Sequence, residues 1–252
     1  MIGKKDVIAL IIVALAMSGT SLPARAQSGD ASAGWKFELV PLFWASGLKA
    51  DIKSDSGEQT IDVSFSDILK DVHFGAMGTF EGRKGRWGFL FDGMYVDIRK
   101  SIPQSGAMPG DVDLKANQSN FSLSGTLRLA DGRLAFDLLA GARYSYMKNA
   151  LTVTSGPYEG LQNSIKDEWW DAITGARLTY MLAKAWRLIG YVDIGAGGSQ
   201  LTWQAKGAVN WRLSRVLSLE AGYRHFYFDR FANDTSTKMA KSGFYTGLGI
   251  RF

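Results

Sequence analysis

The sequence predicts an all-β chain closed as an antiparallel transmembrane β-barrel. Apolar residues recur at every second position along nearly the whole chain, the alternating runs are long, and aromatic side chains gather at their ends. Residues 120–129, NFSLSGTLRL, show the alternation most cleanly. Phe121, Leu123, Gly125, Leu127 and Leu129 share one face, and Asn120, Ser122, Ser124, Thr126 and Arg128 share the other. After the turn Ala130–Arg133 the pattern restarts with Leu134, Phe136, Leu138, Ala140 and Ala142. Asp131-Gly132 between two alternating runs is a hairpin signal, because both residue types tolerate positive φ.

Ten strands are predicted, at about 35–49, 73–83, 86–99, 117–130, 133–149, 168–181, 186–199, 201–213, 216–229 and 241–252. Their links alternate in length. Those at 84–85, 130–133, 182–185 and 214–215 are short; those at about 50–72, 100–116, 150–167 and 230–240 are longer and rich in Gly, Ser, Asn, Asp and Lys. The short link 198–200 breaks the rhythm, so an eight-strand barrel is the alternative. An even number of antiparallel strands closes with both termini on one side, the side of the short, periplasmic turns in an outer-membrane barrel.

A soluble sandwich also alternates, so the polar face must be weighed against the apolar one. By parity the polar face carries Glu38, Glu81, Asp92, Arg128, Asp137, Arg143, Asp171, Arg177, Arg187, Asp193, Glu220 and Arg224, with Lys36, Arg212 and Arg251 at its ends. In a narrow lumen these charges must pair, because a lone desolvated charge is very costly. On the apolar face, Trp35, Trp87, Tyr180, Trp186 and Trp211 fall near the short turns. Tyr95, Tyr144, Tyr146, Trp170 and Trp203 fall near the longer links. Between these two girdles the face is mainly aliphatic, as a bilayer requires. The strands are also longer than the 5–6 residues usual in soluble sheets.

The chain start is consistent with export. Lys4-Lys5, an apolar run over 7–17 and Ala24-Arg25-Ala26 together read as a secretory signal peptide spanning 1–26. The barrel domain is then 27–252. Its 26 basic and 23 acidic residues, after Lys4, Lys5, Arg25 and Asp6 are set aside, leave a net charge of about +3. So small an excess gives no reason to expect nucleic acid as a partner. The absence of Cys excludes thiol nucleophiles and Cys–zinc sites.

Four stretches carry a family resemblance: WKFELVPLFWASGL at 35–48, FEGRKGRWGFLFDGMYVD at 80–97, LSLEAGYRHFYFD at 217–229 and GFYTGLGIRF at 243–252. With them the chain resembles the small outer-membrane β-barrel proteins of Gram-negative bacteria, of the OmpA-like and opacity-like surface-protein type. The resemblance implies an outer-membrane location and a structural or surface-interaction role. Outer-membrane lipid and lipopolysaccharide are the expected partners, the latter through basic residues near the longer links such as Lys49, Lys53, Lys70, Arg99 and Lys100, and a monomer is expected. The last strand would be read by the barrel-assembly machinery through Phe244, Leu248, Ile250 and Phe252, although Thr246 is a weak hydrophobe for that signal. The usual members have eight strands, against ten predicted here. A small porin-like pore and a rim-located outer-membrane hydrolase are the alternative functions.

Motifs for chemistry are sparse. There is no G-x-S-x-G, H-E-x-x-H or P-loop, and no cofactor or metal site is expected. His225 shares parity with Tyr223 and Tyr227, which makes it a girdle residue; His73 with Asp71, and Asp92 with Asp97, are the loose candidates for a hydrolase rim. Asp51, Asp55, Glu58 and Asp62 only superficially resemble a calcium loop, because Lys53 occupies a ligand position. Residues 63–72, VSFSDILKDV, shift to a helical period that aligns Phe65, Ile68, Leu69 and Val72. That segment is either a short helix on the rim or a lid over the lumen.

Overall fold

The computed structural model describes residues 34–55, 57–104, 110–156 and 159–252, so the predicted signal peptide lies outside the described residues. The chain forms β1 (Lys36–Ser54), β2 (Gly57–Val63), α1 (Phe65–Asp71), β3 (Val72–Lys84), β4 (Trp87–Gln104), β5 (Gly110–Ala130), β6 (Leu134–Val153), β7 (Gln162–Met181), β8 (Trp186–Gly197), β9 (Leu201–Arg212), β10 (Leu217–Ala232) and β11 (Thr235–Arg251). Apart from β2, each strand pairs antiparallel with the next long one, and β11 returns to β1 from Glu38↔Arg251 to Lys53↔Ser236. The result is a closed barrel of ten long strands. The link 198–200 joins a true hairpin of β8 and β9.

The closing seam runs to the last residue. Phe37 N donates to Phe252 O at 2.9 Å, Phe252 N donates to Phe37 O at 3.1 Å, and the two rings stack at 5.8 Å. Closure leaves no free sheet edge there, which is the condition for a sheet to sit in hydrocarbon.

The outer surface is apolar. Leu39, Leu123, Leu138, Val192, Ile194, Leu219 and Leu248 are all exposed, from strands spread around the wall. A continuous belt of this kind suits a bilayer and would drive association in water. At the short-turn end Trp186 stacks on Trp211 at 5.3 Å, Tyr180 lies beneath the Arg133 guanidinium, and Trp35 and Trp87 are exposed. At the other end Tyr144 packs on Trp170 at 5.0 Å, Trp203 stacks on His225 at 4.5 Å, Tyr95 meets Phe74, and Lys166 lies over Tyr146.

The predicted long links prove to be largely strand. β1 and β2 form a hairpin over most of 48–63, β4 and β5 extend to Gln104 and from Gly110, and β6 and β7 leave only 154–161 between them. β10 and β11 are joined by Asn233-Asp234 alone, both at positive φ (49° and 56°), as a two-residue hairpin turn requires. These strands project beyond the bilayer. There both faces meet water, so the lipid-driven alternation that marks a spanning strand is absent.

The wall is interrupted between β1 and β3. β1 pairs with β3 from Lys36↔Arg83 to Pro41↔Gly78, then with β2 from Leu48↔Val63 to Ser54↔Gly57. Over residues 42–47, β1 is paired only with β11 among the described residues. Helix α1 lies beside this stretch, capped by Ser64, whose hydroxyl accepts from Asp67 N, and Phe65 meets the lipid-facing Phe43 edge-on at 6.0 Å. None of its side chains is fully buried, which places α1 on the outer rim and not inside the lumen.

Candidate functional site

The inward faces of the strands converge on the lumen, where charges and aromatic rings form successive layers. Nearest the short turns, Glu81 and Asp137 share the guanidinium groups of Arg83, Arg128 and Arg177. Arg177 donates to Glu81 at 2.6 and 2.7 Å and to Asp137 at 2.8 and 3.0 Å. Arg128 reaches Asp137 at 2.8 Å, and Arg83 reaches Glu81 at 2.9 Å. On the opposite wall Arg251 donates to Glu38 at 3.0 Å, while Arg187 and Glu220 both bond to Asn210.

At mid-height Asp92 accepts from Lys206 at 2.9 Å and from Arg224 at 2.7 Å. Beside it Arg143 directs Nη2 at both oxygens of Asp193, at 2.8 and 2.9 Å, while its other nitrogens donate to Ser122 and Thr202. Both members of that pair are 1% exposed. Tyr191 adds a hydroxyl bond to Asp193 at 2.7 Å, and Asp171 accepts from the Trp169 indole and from Ser199 N. The carboxylates assigned to the lumen by alternation therefore sit among arginines, a lysine, hydroxyls, amides and an indole, the arrangement that offsets burial of charge.

Above this level Trp44, Met94, Trp169, Phe226, Phe228 and Tyr245 form a buried cluster inside the barrel, with Leu42, Met77 and Met239 packed against it. The rings also meet the cations from the network: Arg143 lies 5.1 Å from the Phe226 centroid and Arg224 lies 5.0 Å from that of Trp44. Below the cluster, a cavity of about 580 Å³ on the short-turn side reaches inward to Trp44, Tyr191 and Tyr245.

Alternation missed part of this site. Arg83 and Lys206, which share the inward parity of Glu81 and Asn210, belong to the network in addition to the charges expected there. The inner aromatic cluster was also missed, although Trp44, Trp169, Phe226 and Phe228 share parity with Glu38, Asp171 and Arg224. Their position on a face read as polar was the available signal.

The loose hydrolase candidates do not converge. Asp92 and Asp97 have opposite parity and stand about 17 Å apart along one strand at about 3.3 Å per residue. Asp92 is held in the lumen by Lys206 and Arg224, Asp97 is bonded by Arg99 at 2.9 Å, and Asp71 is bonded by Lys100 at 2.8 Å. That bond to Asp71 raises the Lys100 pKa. His73 is exposed. In the β1–β2 hairpin the acids of the superficial calcium pattern bond locally: Lys53 to Glu58, Lys49 to Asp62, and Thr60 to Asp51. Among the described residues no group of three His, Cys, Asp or Glu side chains is placed to hold a metal ion.

A closed antiparallel barrel with a lipid-facing belt, two aromatic girdles and short turns at one end is an outer-membrane β-barrel of the Gram-negative type. Among solved structures the chain is similar to outer membrane protease OmpT from Escherichia coli, at 10% identity and a TM-score of 0.60 over 88% of this chain and 98% of that one. It is also similar to the translocator domain of autotransporter NalP from Neisseria meningitidis (13% identity, TM-score 0.44, 97% and 98% covered). A third is Ail, the attachment invasion locus protein of Yersinia pestis (11% identity, TM-score 0.38, 86% and 99% covered). No protein-family model and no curated protein matches the chain. At such identities the likeness speaks to fold, and fold alone does not assign a role.

Proposed function

We propose that this protein is a closed, structural barrel of the outer membrane that meets other molecules through its external rim, without catalysis. The observation that carries this reading is the obstruction of the lumen above the lower cavity. The cluster of Trp44, Met94, Trp169, Phe226, Phe228 and Tyr245 stands across the barrel above a network of paired charges. A ten-strand barrel is narrow enough for side chains to fill it. The rim supports the second half of the reading. Lys49, Lys53, Lys70, Lys100 and Lys166 project there from strand extensions and α1, each in an exposed ion pair with a neighbouring carboxylate that a lipopolysaccharide phosphate, or a divalent cation bridging to one, would compete for.

Planar-bilayer recording of the purified chain tests the closed lumen against the pore alternative. The expected trace stays at the leak level, both for the intact chain and after deletion of 60–71. Regular single-channel steps from the intact chain would establish the pore and end this reading. Steps seen only after the deletion would instead make α1 a lid.

A further inference from the structure

At the periplasmic mouth of the barrel, cations from four parts of the chain meet: Lys36 and Arg251 beside the closing seam, Arg187 at the start of β8, Arg212 at the end of β9, and Arg215 in the β9–β10 turn. They line an open recess of about 690 Å³ that has no carboxylate in its wall. It is continuous with the lower cavity, which has Lys36, Arg187, Arg212, Arg215 and Arg251 in its lining as well.

The acids just inside do not match these charges. Glu38 is engaged by Arg251 at 3.0 Å, and Arg187 approaches it only to 4.0 Å. Glu220 accepts from Tyr245 and Asn210, both neutral. Arg187 spends one Nη2 bond on Asn210 at 2.8 Å, and its Nε is buried with no hydrogen-bond partner. Among the described residues, no carboxylate lies within ion-pair distance of Lys36, Arg212 or Arg215. At the mouth five cations face the side-chain carboxylates of Glu38 and Glu220 alone, so positive charge is in excess on an open recess.

We propose that this mouth is an anion site that takes a phosphate group from the periplasmic side. A recess with low-dielectric walls and charges of one sign concentrates ions of the opposite sign. Arginine forks converging from several strands suit a multivalent oxyanion better than a single carboxylate. The phosphate comes either from a soluble periplasmic compound or from the headgroup of an inner-leaflet lipid. Both present the same oxygens to the same forks. The site depends on the barrel fold and not on the closed lumen, so a binding result and a conductance result stand or fall separately.

The test is titration calorimetry of the folded, full barrel in zwitterionic detergent at low ionic strength, with pyrophosphate as the probe. One site per barrel is expected. An Arg212→Gln/Arg215→Gln variant, altered only at the exposed end, is expected to bind about tenfold more weakly, as loss of charge-assisted bonds implies. A Lys115→Gln/Lys148→Gln variant, at exposed positions toward the opposite end of β5 and β6, is expected to bind as the parent does. Heat-shifted gel mobility confirms that each variant is folded. In a parallel arm, nanodiscs with and without phosphatidylglycerol replace detergent. Competition of that lipid with pyrophosphate assigns the site to a headgroup, and undisturbed pyrophosphate binding assigns it to a soluble phosphate. Absence of pyrophosphate binding, or equal weakening by the two folded variants, would overturn the proposal.

Discussion

Arg143 and Asp193 show what burial demands of a single side chain in this protein. The guanidinium has all its nitrogens bonded, to Ser122, Thr202 and Asp193, and both members of the pair are withdrawn from water. Such a pair adds little stability compared with a well-packed apolar one, but removing one member strands the other. Asp193→Ala is therefore expected to cost about 3–5 kcal/mol in urea unfolding of the detergent-folded barrel. The double change Arg143→Met with Asp193→Leu is expected to cost distinctly less, because no charge is then stranded. Equal losses from the two variants would contradict this. At the residue scale the charges were legible in the sequence, because alternation alone fixes which side chains share a face. Their partners were not, since Arg177 and Glu81 are brought together from β7 and β3 only by closure of the barrel.

Among the elements, α1 and the tip hairpins depart most from a simple alternating strand. The period change over 63–72 was readable; its cap was not, because Ser64 and Ser66 were both candidates and only the structure selects Ser64. The strand extensions at the tips were not, because Asn233-Asp234 sits among Thr, Ser and Lys that read equally well as loop, and no lipid imposes an apolar face there. α1 also contains a titratable support. Asp67 is held below the ordinary aspartate value of 3.8, first by its hydrogen bond with Ser64 and then by Lys70. A carboxyl with a lowered folded pKa stabilises its element above the ordinary value, and that contribution is lost as pH falls through the lowered one. Amide exchange at Asp67 and Ile68 is thus expected to show a formed helix at neutral pH that frays below about pH 4. Phe65→Ala is expected to speed exchange across 64–72 at neutral pH while the amides of β9 stay protected. Unchanged protection of α1 under both treatments would show that neither Asp67 nor Phe65 holds it.

For the whole molecule, the strand count, the closure and the lipid face followed from periodicity, strand length and the placement of Trp and Tyr, because a bilayer acts on every strand in the same way. The aromatic filling of the lumen was hidden by the same logic. An inward face was equated with a polar one, yet a narrow barrel encloses its inward side chains almost as a soluble core does, so Phe226 and Phe228 are as suited to it as Asp193. Closure also gives the terminal residue a task. Phe252 completes the pairing with Phe37 and stacks on it. Deleting Phe252 is expected to lower the yield of membrane-inserted barrel severalfold, read as the folded fraction in outer-membrane preparations. An unchanged yield would show that insertion does not depend on that residue.

The central claim, a closed transmembrane barrel, is tested most directly by comparing boiled and unboiled samples of the purified protein on a detergent gel. A closed barrel resists the detergent until it is heated, so the unboiled sample is expected to migrate apart from the boiled one and to join it after boiling. Identical mobility in the two samples, together with complete release of the protein from cells by salt without detergent, would contradict the account.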